Sequence, residues 1–209
     1  MQVFIGLPIS QGLAAGKIVF LGTQETAARQ AGSPQEEQAR FAAAQRQAID
    51  ALGALYEKAK AELGEKDAEI FSVHQLMAED EDFTDLVSEA IADGAEASEA
   101  VRQAGEQCTA MFSGMDDDYM RERAADVRDV AARICRLLNG EAEHTITEPC
   151  LIAAEELTPS QTVQFPREYV LGMLTVRGAA NSHTGILART LGVPAVSQLS
   201  VSAELHGHT

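Results

Sequence analysis

A histidine stands between two hydroxyl residues in the run Arg177-Gly-Ala-Ala-Asn-Ser182-His183-Thr184-Gly-Ile-Leu-Ala-Arg189. An imidazole is neutral in a useful fraction near neutral pH, and a neutral ring nitrogen is a nucleophile. The flanks say where this one sits. Val170–Val176 is an apolar run that reads as a strand with Gly172 inside it. After His183 the apolar residues Ile186, Leu187 and Leu191, with Thr190, recur at helical spacing. Gly192 stops that pattern, and Val193-Pro194 turns the chain into a further apolar run. His183 is therefore expected where a strand ends, a tight turn passes and a helix begins. The first N–H groups of a helix lack partners within it, and the helix dipole adds positive potential there, so a phosphoryl group on the ring would be well received. Gly178, Ala179 and Ala180 leave room for close backbone approach. Ser182 and Thr184 offer hydroxyls to the ring or to phosphoryl oxygens, whereas Arg189 falls on the opposite side of a regular helix. The same residues also admit an ordinary reading, with Ser182 as a plain helix cap and His183 as a structural histidine.

The other elements are read along the chain from its first residues. Val3–Ile5 and Lys17–Leu21 are apolar runs separated by Pro8, Gly12 and Gly16, which predicts strand, glycine-rich loop, strand. The glycine spacing fits neither a P-loop nor a dinucleotide fingerprint. From Thr145 onward, Leu151–Ala154 reads as a short buried strand, Leu157-Thr158-Pro159-Ser160 as a helix start, and Val170–Val176 as the next strand, an α/β alternation. Between these ends the texture is all-helical. Ser33-Pro34-Gln35-Glu36 opens a long amphipathic helix that runs to Gly64. A second helix is expected over Asp67–Ala78, with Ile70, Phe71, His74 and Met77 on one face. A third opens at Glu79-Asp80-Glu81-Asp82 and ends at Gly94. Two more follow, Ala97–Ser113 and Asp116–Asn139, stopped by Gly114 and Gly140. Residues 33–140 thus predict a helical bundle.

Composition narrows the partners. The 209 residues carry 16 basic and 32 acidic side chains, a formal charge of −16. Such a balance argues against nucleic acid and anionic membrane surfaces and favours a partner with a basic face. Cys108, Cys135 and Cys150 are scattered, with no Cys-x-x-Cys pair, so neither a disulfide framework nor a zinc knot is indicated. His74 lacks a second ligand at the helical spacing a metal pair requires, and no metal site is expected. The start of the chain lacks a basic segment followed by a long apolar core, and no apolar run is long enough to span a bilayer, so a reducing cytoplasm is the expected location.

The run Gly178-x-x-x-Ser182-His183-Thr184-x-Ile186-x-Ala188-Arg189-x-Leu191-x-Val193-Pro194-Ala195 resembles the phosphohistidine motif of enzyme I of the bacterial phosphoenolpyruvate:sugar phosphotransferase system. Pyruvate phosphate dikinase and phosphoenolpyruvate synthase have a related motif with Thr-Cys-His, so Ser182-His183-Thr184 points to enzyme I. The likeness covers nearly the whole chain. Gly6-x-Pro8-x-Ser10-x-Gly12-x-Ala14-x-Gly16 is similar to the first segment of that family. So are the Ile70-Phe71-x-x-His74 stretch with Glu81-Asp82, the run from Asp116 to Asp129, and the Leu157-Thr158-Pro159-Ser160 unit.

The resemblance implies an α+β chain of more than one subdomain. In it an all-helical bundle (33–140) is inserted into an α/β swivelling phosphohistidine subdomain built from 1–21 and 145–209. It implies that His183 carries a phosphoryl group on Nε2, although the residues themselves leave both ring nitrogens open, and that Thr158 hydrogen-bonds the ring, with Ser182 and Thr184 in support. It implies a docking surface for HPr, the small phosphocarrier protein, on or near Glu65, His74, Leu76, Met77, Glu81 and Asp82, with Glu65-Lys66 standing where many relatives have Glu-Glu. Arg123 and Asp126 would support the site from the helix that lies near both the docking face and the histidine; the bland reading of that helix is a solvated face of Glu/Asp–Arg pairs. Enzyme I continues with the rest of the subdomain and a barrel that holds phosphoenolpyruvate, magnesium and the dimer partner. This chain is therefore expected to be the N-terminal part alone, without a cofactor of its own and monomeric. Ser197-Gln198 replaces a glycine common in relatives. Beside phosphoryl transfer stands a second reading, a docking module for HPr or a regulator without turnover.

Overall fold

The computed structural model describes residues 3–22, 29–141, 145–178 and 183–199. The chain divides into two units, Met1–Glu25 with Glu143–Thr209, and Thr26–Ala142. In chain order the elements are β1 (Leu7–Ser10), β2 (Lys17–Leu21), α1 (Pro34–Leu63), α2 (Glu65–Glu79), α3 (Glu81–Ala92), α4 (Ala97–Ser113), α5 (Asp118–Leu138), β3 (Cys150–Ala154), α6 (Pro159–Gln164), β4 (Val170–Thr175), α7 (His183–Leu191) and β5 (Ala195–Ser197).

The helical unit starts where its capping residues say it should. Glu36 N donates to Ser33 Oγ, the Glu36 carboxylate accepts from Ser33 N at 2.8 Å, and Pro34 occupies the first helical position. α1 then runs for 30 residues. Gly64 closes it, and α2 returns antiparallel along it: Gln75 Nε2 donates to Ile49 O at 3.1 Å and Gln45 Nε2 to Ala78 O at 2.8 Å. Phe41, Leu52, Phe71, Val87, Ile91, Val101 and Ile134 fill the core that the five helices share.

One buried carboxylate ties three of these helices together. Glu37 is 1% exposed and accepts from Gly32 N at 2.8 Å and from Ala97 N, the first amide of α4, at 3.1 Å. Arg40 donates to Glu37, to Glu96 at 2.6 Å and to Leu138 O at the end of α5 at 3.0 Å. Glu96 in turn caps α4 through Ser98 N and Glu99 N. Burial by itself pushes the Glu37 carboxyl up. The Gly32 and Ala97 amides and the Arg40 guanidinium outweigh that and hold it below the usual carboxylate range. α4 and α5 approach closely at Gly105, where an added Cβ would lie 2.6 Å from Ala131 Cβ.

The other unit is a five-stranded sheet in the order β1-β5-β4-β3-β2. β2, β3, β4 and β5 are parallel, and β1 joins the edge antiparallel to β5. The helices α6 and α7 are the crossovers between β3, β4 and β5, as parallel pairing requires. Ile152, Met173, Leu157, Phe165, Ala188 and Val193 belong to its core.

Two expectations need correction. Val3–Ile5 forms no strand; the edge strand is Leu7–Ser10, while Val3 and Ile5 are 70% and 89% exposed. The partner decides this, because Leu7 pairs with Ser197 and Pro8 with Val196. An edge position also tolerates proline, which has no N–H to offer a neighbour. The helix from Asp118 is not simply a solvated face: Asp126, Asp129 and Arg133 are buried. Cys108 and Cys150 are buried, and burial raises their thiols; burial also pushes Cys135 up to about 11, and its Sγ donates to Ser98 O at 3.4 Å. All three are free thiols. Among the described residues no helix is long and apolar enough to cross a membrane.

Two outcomes follow from this packing. Gly105→Ala gains helix propensity but forces α4 from α5, since Ala131 Cβ cannot rotate away; chemical denaturation should show a net loss of about 1–3 kcal/mol. Glu37 contributes stability that is present above the unfolded carboxylate pKa and lost as pH falls through its lowered folded value. Thermal melts from pH 7 down to 3 should therefore fall below about pH 4.3. Glu37→Gln should be less stable at pH 7 by roughly 1–3 kcal/mol and show a shallower acid limb.

Candidate functional site

The carboxyl ends of β3 and β4 lie side by side, with Ala154 paired to Thr175. Hydrogen bonding continues past the strands. Val176 N donates to Ala154 O at 3.2 Å and Arg177 N to Glu155 O at 2.7 Å, and the Arg177 and Glu155 side chains form an ion pair at 2.8 Å. On the other side Leu199 N donates to Thr175 O at 3.1 Å, and Ser197 Oγ donates to Gly178 O at 3.0 Å. The chain leaving β4 is thus pinned from both flanks as far as Gly178, whose φ of 135° suits a residue without a side chain. Helix α7 then opens at His183. The carboxyl edge of parallel strands is where open α/β sheets place their ligands.

The neighbouring strand ends in the same way. β3 leads to Thr158, which caps α6: Gln161 N donates to Thr158 Oγ1 at 3.3 Å, and Thr158 N donates to Gln161 Oε1 at 3.1 Å. Pro159 takes the first helical position. α7 is anchored at its far end by a Schellman motif, in which Val193 N donates to Ala188 O at 2.9 Å and Gly192 N to Arg189 O at 3.1 Å. Gly192 has a φ of 67°, the left-handed conformation that motif needs. Ala188 is fully buried, which seats α7 on the sheet.

The structure therefore sets Thr158 and His183 at helix starts that follow adjacent parallel strands. Ser182 lies outside the described residues, and so do the side chains of His183 and Thr184. In the helical unit, Leu76 is 68% exposed, Met77 is half-buried, and Glu81 and Asp82 are exposed in the first turn of α3, so these four share the region where α2 meets α3. Glu65 stands apart from them: it opens α2, about 18 Å of helix from Met77, and pairs with Lys60 at 3.1 Å.

His74 does not lie on that surface. It is 0% exposed, because its side of α2 faces α5 and its ring is enclosed beside Asp126 and Asp129. Arg123 Nη1 donates to Asp126 Oδ2 at 2.9 Å. The sequence reading passed over the roles of Asp129 and Arg133 on α5 and of Gln161 on α6. Their signals were present: Asp126, Asp129 and Arg133 recur at three- and four-residue steps, and Gln161 stands three residues after a capping threonine.

Comparison with known proteins agrees with this layout. Residues 5–123 match the family model described as PEP-utilising enzyme, N-terminal, and residues 146–207 match PEP-utilising enzyme, mobile domain. The phosphoenolpyruvate-protein phosphotransferase of Bacillus sp. (strain S) is 38% identical over 207 residues, covering 96% of this chain and 36% of that protein. The protein of the same name from Bacillus subtilis (strain 168) is 37% identical over 202 residues, covering 94% of this chain and 35% of its own length. The chain thus spans about a third of the curated relatives it matches. Among solved structures, the NMR solution structure of an Enzyme I protein superposes with a TM-score of 0.79 at 31% identity, covering 98% of this chain and 86% of that one. The N-terminal domain of an Enzyme 1 designated Nitrogen shares the fold, with a TM-score of 0.71 at 23% identity and coverage of 98% and 87%.

The capping role of Thr158 is open to direct measurement. Thr158→Val should lower stability by about 1 kcal/mol in urea denaturation, while Thr158→Ser, which keeps the accepting oxygen, should hold close to the parent.

Proposed function

The chain belongs to the family of PEP-utilising enzymes, as the N-terminal region of enzyme I, and on that premise we propose that it is a phosphohistidine carrier that exchanges a phosphoryl group with HPr through His183. The observation that carries the proposal is the position of His183, which opens α7 at the carboxyl edge of the sheet beside the Thr158-capped start of α6.

The chemistry follows from that position. A neutral imidazole holds one N–H and one lone pair. In this reading Nε2 attacks and Thr158 Oγ1 is assigned as the acceptor for Nδ1–H, having a second lone pair beyond the one that receives Gln161 N. That bond fixes the tautomer and aims the lone pair at phosphorus. In transfer from phospho-HPr, the P–N bond to the carrier histidine breaks as the P–N bond to His183 forms, in line, and the carrier's imidazole leaves with the electron pair. Each ring gains or loses only the phosphoryl group, so the step is reversible. Charge on the three equatorial oxygens is stabilised by the positive end of α7, with the hydroxyls of Ser182 and Thr184 in support.

HPr docks on the helical unit in this reading. Leu76 and Met77 supply the apolar contact and Glu81 and Asp82 the acidic one, with Arg123 and Asp126, paired to each other, in support. Glu65 contributes at the periphery. Phosphoenolpyruvate and magnesium are assigned to the part of the longer relatives that this chain does not span, the cytoplasm is the compartment, and the chain alone is a monomer.

The test is transfer of labelled phosphate from phospho-HPr to the purified chain, with His183→Ala alongside. The parent should take up acid-labile label and return it to unphosphorylated HPr; His183→Ala should take up none while keeping its melting temperature. Label that survives the exchange would sink the assignment.

A further inference from the structure

The crossover that carries His183 is closed at its base by a side chain. The chain leaves β4, passes Gly178, forms α7 from His183 to Leu191 and returns through Val193-Pro194 into β5. The ladder between β4 and β5 pairs Met173 with Ala195 and Leu174 with Val196. Beyond it, Ser197 Oγ donates to Gly178 O at 3.0 Å. That bond joins the residue that leads into the crossover to the residue that completes it, 19 positions later. Ser197 has a fixed footing for this. It is 1% exposed, it pairs with Leu7 of β1, and Gly6 lies so close that a Cβ there would be 2.4 Å from Ser197 O. The next residue, Gln198, has a φ of 57°, a left-handed conformation uncommon for glutamine, and Leu199 N beyond it donates to Thr175 O at 3.1 Å. A backbone of that kind persists where its surroundings over-determine it. Here the bonds on either side of Gln198, from Ser197 and from Leu199, both end on the strand exit that leads to His183.

We propose that Ser197 is a positioning residue for phosphoryl exchange, which fixes the base of the β4–α7 connection and through it the approach of His183 to the phosphoryl donor. The inference rests on the reading of His183 as the phosphoryl carrier. Gly178 and His183 are five Cα steps apart, at most about 18 Å of chain. The start of α7 is therefore referred to the sheet through a short tether, and the Ser197 hydroxyl fixes the near end of it. In-line attack tolerates little misplacement, and loss of the bond at the base widens the range of positions open to the first residue of α7. Ser197 acts through the backbone and not through contact with the ring.

The test is a separation of kcat from KM in exchange with phospho-HPr, because docking is assigned to the other unit. In the intact chain, Ser197→Ala should lower kcat by roughly three- to tenfold, the effect of one hydrogen bond, with KM within about twofold of the parent. The Gly178 carbonyl 13C resonance should move upfield in the same variant, which reports loss of the donor in the folded chain. Ser197→Cys fills the same space with a much weaker donor and should be slowed to a similar degree. Ile152→Val thins the core of the same sheet and should lower the melting temperature while leaving kcat unchanged. Parent-like kcat in either serine variant, a change confined to KM, an equal loss in Ile152→Val, or loss of the fold in both serine variants would each overturn the proposal. Label that survives His183→Ala would strike the His183 reading and the inference with it. Label lost in His183→Ala and unaffected by Ser197→Ala would strike the inference alone.

Discussion

The register of β3 on β4 is the constraint from which the α/β unit takes its meaning. Because Ala154 and Thr175 are partners, both strands stop at the same edge. The backbone bonds from Val176 and Arg177 to Ala154 and Glu155 keep their exit loops together for a further turn. Whatever follows one strand is then presented beside whatever follows the other. A slip by one residue would reverse the faces of every side chain on the slipped strand and separate the two helix starts. The buried core of Ile152, Met173 and Ala195 opposes that slip, since it is satisfied only with the same face inward. The helix starts at Thr158 and His183 are thereby held by main-chain pairing, the stiffest material a small unit has.

The helical unit uses charge in two ways. On the outside its carboxylates are solvated and supply a field. Inside, Glu37 and the Asp126–Asp129 pair are removed from water, and such groups stabilise nothing unless their partners compensate the desolvation. Glu37 has two backbone amides and a guanidinium. Asp126 accepts from Arg123. What the Glu37 network contributes is specificity, since it joins α1 to the first amide of α4 and, through Arg40, to the end of α5 in one register.

Much of this was legible because it is local. Ser33-Pro34-Gln35-Glu36, Thr158-Pro159 and the glycine after Leu191 are signals complete within a few residues, and the elements they announce stand where they should. What was not legible is what distant partners decide. Leu7–Ser10 contains a proline and alternates poorly; it is a strand because Ala195–Ser197 offers it an edge. His74 shares a helical face with Phe71 and Met77, and what encloses it beside two acidic side chains is α5, far along the chain. Gln198 is a further case: its φ of 57° lies in the left-handed region that glycine, not glutamine, announces in a sequence.

The sheet joins Lys17 to Cys150 and Leu21 to Ala154 across the whole helical unit. On the ribosome, where chains grow at roughly 5–20 residues per second, β2 therefore emerges on the order of ten seconds before the strand it must lie beside. For that interval β2 has an unpaired edge and an uncovered Leu21, while the helices, whose contacts are mostly between near neighbours in sequence, are free to form. The order of synthesis thus lets the helical insert gather its own contacts before the sheet can close around β3.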